Sequence, residues 1–328
     1  MKTEARAVWV LAGVLALCGS ARAVAIETVP VGNTGANGDD STGYGEVDYA
    51  YRIGKYEVTA GQYTEFLNAV AATDTYGLYN PFMDSASYGC KIQRSGSSGS
   101  YMYSVAGDWA DRPVNYVSWG DAARFANWLH NGQPTGPQVL ATTEDGAYEL
   151  NGATSDAALM TVNRETDWKW AITSEDEWYK AAYHKNDGDT GNYFRYPTSS
   201  DSAPSNALVD PDPGNNATFY DSGYTIGSPY YRTEVGAHEN SDSPYGTFDQ
   251  GGNVWEWNEA DVLGTNRGVR GGSLLDRYLH ASSRDLHNPA YDSGRIGFRV
   301  SQAPEPGTMV ILMLGGMGIL TRRKCVRG

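Results

Sequence analysis

The sequence predicts a single α+β domain, rich in loops and low in regular secondary structure. Three observations carry that prediction: three short amphipathic helix patterns, long stretches between them with no period, and an abundance of turn formers and tyrosines. The chain has 328 residues, 40% hydrophobic and 20% charged, with 39 Gly, 14 Pro, 23 Tyr and 9 Trp. That composition is too apolar for intrinsic disorder and sufficient for a sizeable core.

A polar, Gly-rich approach at residues 32–44 leads into a strand-like run at 49–58. The first helix is predicted to start at Thr59, with Gln62 completing a capping box and Tyr63, Phe66, Leu67 and Val70 on one face. The second starts at Ser118 with Asp121 in the third position, and stacks Ala122, Phe125, Ala126 and Leu129. The third starts at Ser174 with Glu177, and turns Trp178, Ala181 and Ala182 inward. His130 and His184 close the second and third helices, where an imidazolium would suit the negative end of the dipole. Residues 95–103, 186–192 and 197–231 are governed by turn chemistry, and their Tyr and Trp rings can stitch irregular backbone together. No repeat at solenoid or propeller spacing is visible.

The two ends read as addresses. Residues 1–23 resemble a secretory signal peptide, with basic residues before the apolar run 7–17 and the small-x-small pattern Ala21-Arg22-Ala23. At the other end, Pro304-Glu305-Pro306 precedes the apolar stretch 309–320 and the basic cluster Arg322-Arg323-Lys324. That tripartite tail, residues 304–328, resembles the PEP-CTERM sorting signal, which implies an exosortase as partner. The expectation is an exported protein of the cell envelope, outer surface or extracellular matrix. Its C-terminal membrane segment would be transient or residual, because the span is short.

Net charge over the whole chain is −14, yet both ends are basic, so residues 24–303 carry more than all of it. Such a body repels a phosphate backbone, which excludes nucleic acid as a partner. Cys18, Cys90 and Cys325 fall one in each segment, and neither a disulfide framework nor a CxxC knuckle can be built from them. The five histidines show no zinc-protease spacing, Gly96-Ser97-Ser98-Gly99 is one residue short of a nucleophile elbow, and phosphate-binding glycine loops are absent.

The informative blocks are Gly54-Lys55-Tyr56-Glu57-Val58-Thr59, Arg112-Pro113-Val114-Asn115-Tyr116-Val117-Ser118-Trp119 and Ser174-Glu175-Asp176-Glu177-Trp178. They are followed by Asp249-Gln250-Gly251-Gly252-Asn253-Val254-Trp255-Glu256-Trp257, Arg270-Gly271-Gly272-Ser273 and Gly297-Phe298-Arg299. In this order they resemble the formylglycine-generating enzyme, or sulfatase-modifying factor, family. The resemblance implies that family's C-type-lectin-like single-domain fold over residues 24–303.

The family's enzymes oxidise a cysteine in a Cys-x-Pro-x-Arg sequence to formylglycine, using O2 and copper(I) held by two cysteines five residues apart. Counting forward from Ser273 puts these positions at Asp276 and Ala281; counting back from Gly297 through Arg284 puts the second at Asp276. Either way both thiols are missing. Copper(I) is soft and takes thiolate or thioether ligands, which a carboxylate and a methyl group do not replace. The calcium chemistry implied by the family survives better. Its mapped ligands are Asp249 and Glu256 by side chain with Gly252 and Val254 by carbonyl, oxygens that suit a hard cation. A second calcium site maps to Asn206, Ala207, Asp221 and Gly223.

The expectation is therefore a non-catalytic exported member that binds an envelope or matrix ligand, protein or glycan; Trp119, Trp255, Trp257 and Tyr278 could stack on sugars, although the motif Trp residues read more readily as core. The alternative is a formylglycine-generating-type oxidoreductase acting on a protein cysteine without the usual pair. For that alternative, His280, Arg284 and Asp285 near Asp276 are the candidate acid–base groups.

Overall fold

A computed structural model describes residues 23–304. The signal peptide and the sorting tail lie outside them, apart from Ala23 and Pro304. Ten short strands and three principal helices form the framework. One antiparallel sheet joins β1 (Thr28–Val31), β2 (Tyr51–Gly54), β10 (Val300–Gln302) and β5 (Trp170–Ile172) in that order. A second joins β8 (Asp285–His287), β7 (Asn266–Arg270), β6 (Trp255–Val262) and β9 (Ile296–Gly297), with β6 and β9 parallel. A small hairpin pairs β3 (Gln93–Ser95) with β4 (Met102–Ser104) and gives the Ser-rich turn at 96–101 its ends. Because β10 sits between β2 and β5, the last strand of the body joins the first sheet, so the two ends of the described body meet in one sheet.

All three helices start where the caps predict. Thr59, Ser118 and Ser174 each accept from the backbone N–H three residues on, and Gln62, Asp121 and Glu177 return the bond. Helix α1 (Ala60–Val70) and α2 (Trp119–His130) pack Tyr63, Phe66, Phe125 and Trp128 into an edge-to-face aromatic cluster that also takes Phe298. Helix α3 (Glu175–Tyr183) buries Trp178 and Tyr179.

The structure departs from the sequence expectation at α2. The pattern predicts one buried face, yet every residue from Trp119 to Leu129 is buried. Its polar side is covered by residues 142–148 and satisfied there. Arg124 forms a two-point ion pair with Glu144 at 2.8 and 2.9 Å, and Asn127 donates to the Thr143 and Tyr148 carbonyls. The two helix-end histidines also differ from expectation. Burial lowers the pKa of both, and each acts as a neutral acceptor: His130 Nδ1 takes the Lys169 N–H and His184 Nδ1 takes the Asn186 N–H. Burial of each ring, aided by the nearby charge of Lys169 at His130 and of Lys180 at His184, disfavours the imidazolium more than the dipole favours it.

Between Tyr183 and Trp255 the chain has no regular element. Short polar side chains do the work of a ladder there. The Asp212 carboxylate alone accepts from Gly214 N, Asn216 Nδ2, Asn240 N and Ser241 Oγ. This irregular region delivers the chain to the β6 loop, on which the family motifs converge.

Candidate functional site

Three distant motifs meet around one guanidinium. Arg299, just before β10, forks onto Glu256 of β6, with Nε to Oε2 at 2.6 Å and Nη2 to Oε1 at 2.7 Å. Trp178 of α3 donates its indole N–H to the same carboxylate at 2.7 Å. The remaining Arg299 donors reach the carbonyls of Gly54, Lys55 and Phe248. Both side chains are fully buried, so this ion pair holds the first sheet, the second sheet and the loop at 248–254 together. A parallel arrangement serves the Arg270 motif: Glu175 at the start of α3 binds Arg270 at 2.7 Å and Arg284 at 2.6 Å.

Beside that pair lie two further carboxylates. Asp249 has φ +59° and accepts the Gly236 N–H at 2.6 Å; burial pushes its pKa up to about 6. Glu57 is 1% exposed and neither of its carboxylate oxygens has a hydrogen-bond partner among the described residues. Burial raises its pKa, and the negative charges of Asp249 and Glu256 raise it further. A buried carboxylate without a donor is costly, and it marks a place where a cation or water belongs. The turn is tight as well: a Cβ on Gly252, at φ +95°, would lie 2.1 Å from the Thr218 carbonyl oxygen. Among the described residues no three His, Cys, Asp or Glu side chains form a metal shell by themselves, so a cation here would depend on backbone carbonyls such as those of Gly252 and Val254.

Sequence reasoning missed Glu57 as a candidate ligand, although a signal existed. Glu57 lies inside the block Gly54 to Thr59 that carries the family resemblance, between Tyr56 and Val58. At the second mapped site, Asn206 donates to the Gly223 carbonyl at 2.9 Å, Asp221 pairs with Arg277, and Ala207 gives its N–H to Ser205.

The positions aligned with the reactive cysteines are far apart in role. Ala281 is buried among the α3 aromatics Trp178 and Tyr183. Asp276 is locked in a turn, where Oδ1 accepts the Ser273 N–H at 2.9 Å and Oδ2 accepts the Ser273 hydroxyl at 2.8 Å and the Trp255 indole at 3.1 Å. Cys90, the one cysteine among the described residues, is fully buried in the core and its thiol pKa is raised by burial.

The candidate acid–base cluster does not form. His280 bonds Ser282 and lies in a groove of about 620 Å³ with Lys185, Arg195 and Asp201. Arg284 is engaged by Glu175. Asp285 joins Asp276 instead, in a cavity of about 50 Å³ lined also by Trp255, Tyr278, His287, Tyr291 and Arg295. Of the four aromatic residues proposed to stack on a ligand, Trp119 and Trp257 are wholly buried and Trp255 nearly so; Tyr278 is 60% exposed.

Comparison with known proteins places this architecture. No curated protein matches the sequence. Among solved structures, CarF is 22% identical, covering 86% of this chain and 99% of its own, with a TM-score of 0.50. Variable protein 1 of Treponema denticola is 18% identical, covering 87% and 98%, with a TM-score of 0.53. Both likenesses are of fold. A PEP-CTERM protein-sorting motif matches residues 302–324, which marks the chain for export to the envelope or surface through recognition by an exosortase. Among the described residues no helix is long and apolar enough to cross a membrane, and the apolar stretch at 309–320 lies outside them. The family model for the sulfatase-modifying factor enzyme 1-like domain matches residues 17–304, and the chain belongs to that family.

Proposed function

We propose that this protein is a non-catalytic, exported member of its family, a binding module whose body, residues 24–303, works outside the cell between a cleaved leader at 1–23 and a sorting tail at 304–328. The observation that carries the reading is the fate of Asp276 and Ala281. One is spent on a turn and the other is a core methyl, and Cys90, the one cysteine among the described residues, is a buried hydrophobe. No soft donor stands where copper(I) would have to bind, so these residues do not fit that metal.

Calcium is the cation the residues do fit. Asp249, Glu57 and the carbonyls of Gly252 and Val254 are all hard oxygen donors, and the Glu57 carboxyl without a partner among the described residues supports a divalent ion there. Its role would be structural, neutralising buried carboxylates and fixing the loop into β6. At the second site, Asn206, Ala207, Asp221 and Gly223 would offer a weaker set, since Asp221 is shared with Arg277.

The test is incubation of a Cys-x-Pro-x-Arg peptide with O2, copper(I) and the full chain, read by mass spectrometry beside an active family member. The peptide is expected to keep its mass. Conversion of the thiol to the aldehyde would overturn the reading.

A further inference from the structure

The cavity beside Asp276 has the composition of a ligand site rather than of a leftover. Two tyrosines stand exposed on it, Tyr278 at 60% and Tyr291 at 43%. Neither ring is loose: Tyr278 leans on Trp255 at 6.0 Å and Tyr291 stacks on His287 at 4.8 Å with 26° between the planes. Rigid aromatic faces held open to water lose little entropy when they stack on a ligand.

The polar groups between them have capacity to spare. Asp285 accepts the Leu286 N–H on Oδ1, and its Oδ2 lies 3.7 Å from His287 Nε2. Burial lowers the His287 pKa, which leaves a neutral ring able to donate or accept. The Arg295 guanidinium has no ion pair or side-chain hydrogen bond among the described residues; only its backbone is engaged, with N–H to Ser293 Oγ and C=O to Trp255 N.

We infer that this cleft binds a neutral pyranose of a surface or matrix glycan, an inference that rests on the binding-module reading and names its ligand class. A sugar ring offers what the site asks for: an apolar C–H face for the tyrosines and vicinal hydroxyls that both donate to Asp285 and accept from Arg295. The cavity of about 50 Å³ between the rings takes a hydroxymethyl-sized substituent, while the pyranose itself would lie across the exposed tyrosine faces. The sign of the body selects further. With its net charge of −14 over the chain, and basic ends, the domain repels uronate-rich or phosphorylated polymers, so the favoured glycan is uncharged.

Isothermal titration calorimetry on the full chain in a zwitterionic detergent tests this, using cellohexaose, maltohexaose, mannohexaose and chitohexaose. Hexagalacturonate and a Cys-x-Pro-x-Arg peptide serve as the competing classes. At least one neutral hexasaccharide is expected to bind, with Tyr291→Ala and Asp285→Asn each weakening it tenfold or more. Leu263→Ala, at the exposed far end of the β6–β7 hairpin, is expected to leave it unchanged. Binding to none of the four sugars, or binding unaffected by Tyr291→Ala in a variant of native near-ultraviolet dichroism, overturns the inference. Binding of the unconverted peptide or of hexagalacturonate in their place also overturns it while leaving the binding-module reading intact; conversion of the peptide overturns that reading instead.

Discussion

The loop at 249–256 and the segment at 273–295 flank the same β6–β7 hairpin, yet they treat their carboxylates in opposite ways. In the first, Asp249 is half-buried and Glu256 wholly buried, and Glu256 accepts from Arg299 and Trp178. In the second, Asp285 is exposed beside two exposed tyrosines and an exposed arginine. The first carries the block Asp249 to Trp257 and holds the sheets together; the second carries Asp276, Ala281 and Asp285. The motif carboxylate is held in a buried ion pair, whereas Asp285 stands on open surface. That contrast separates the scaffold from what is grafted on it.

The strongest way to break the comparison is Glu256→Ala. It strands the Arg299 charge in the core and is expected to cost about 3 to 5 kcal/mol, read as a lower urea midpoint. A loss below 1 kcal/mol would mean that the pair is not what joins the sheets.

Calcium comes next. At free calcium a hundred- to a thousandfold above Kd, the unfolding free energy should rise by about 3 to 4 kcal/mol, and Asp249→Ala should abolish the rise. An unfolding midpoint indifferent to both calcium and EDTA would remove the cation from the Asp249 loop.

Asp121, in the capping box of α2, extends the contrast to pH. Burial pushes its pKa up to about 6 from 3.8, so the folded state holds this proton more tightly than the unfolded chain. Its contribution is present at low pH and lost as pH rises through 6. Wild-type stability relative to Asp121→Asn should therefore fall by about 2 to 3 kcal/mol between pH 4 and 7. A difference constant with pH would show that the carboxylate is solvated.

The smallest effect belongs to the open cleft. Tyr278→Ala and Asp285→Asn should each change stability by less than about 0.5 kcal/mol by denaturant titration. A loss above 2 kcal/mol in either would make the cleft a packing element like the loop across from it.

Much of the local structure was legible in advance because its causes are local. The three capping boxes join residues three apart, so Thr59, Ser118 and Ser174 announced the helix starts in the sequence itself. The long gap from Tyr183 to Trp255 was legible for the same reason, since Gly, Asn, Asp and Ser favour turns through their own backbone neighbours. What failed was anything set by a partner from elsewhere. The full burial of α2 depends on residues 142–148 covering Arg124 and Asn127, and the neutrality of His130 and His184 depends on what packs against them.

The candidate site divides along the same line. Sequence alone fixed the missing thiols, the acidic body and the motif order, because these are matters of composition and spacing. Only the tertiary structure decided that Glu256 is engaged by Arg299, that Glu57 is left without a donor, and that Asp276 and Asp285 share a cleft while His280 and Arg284 turn elsewhere. Glu256 finds Trp178 and Arg299 across 78 and 43 residues of chain. Charge pairing depends on distance in space and on dehydration, and neither is written in the local order of residues.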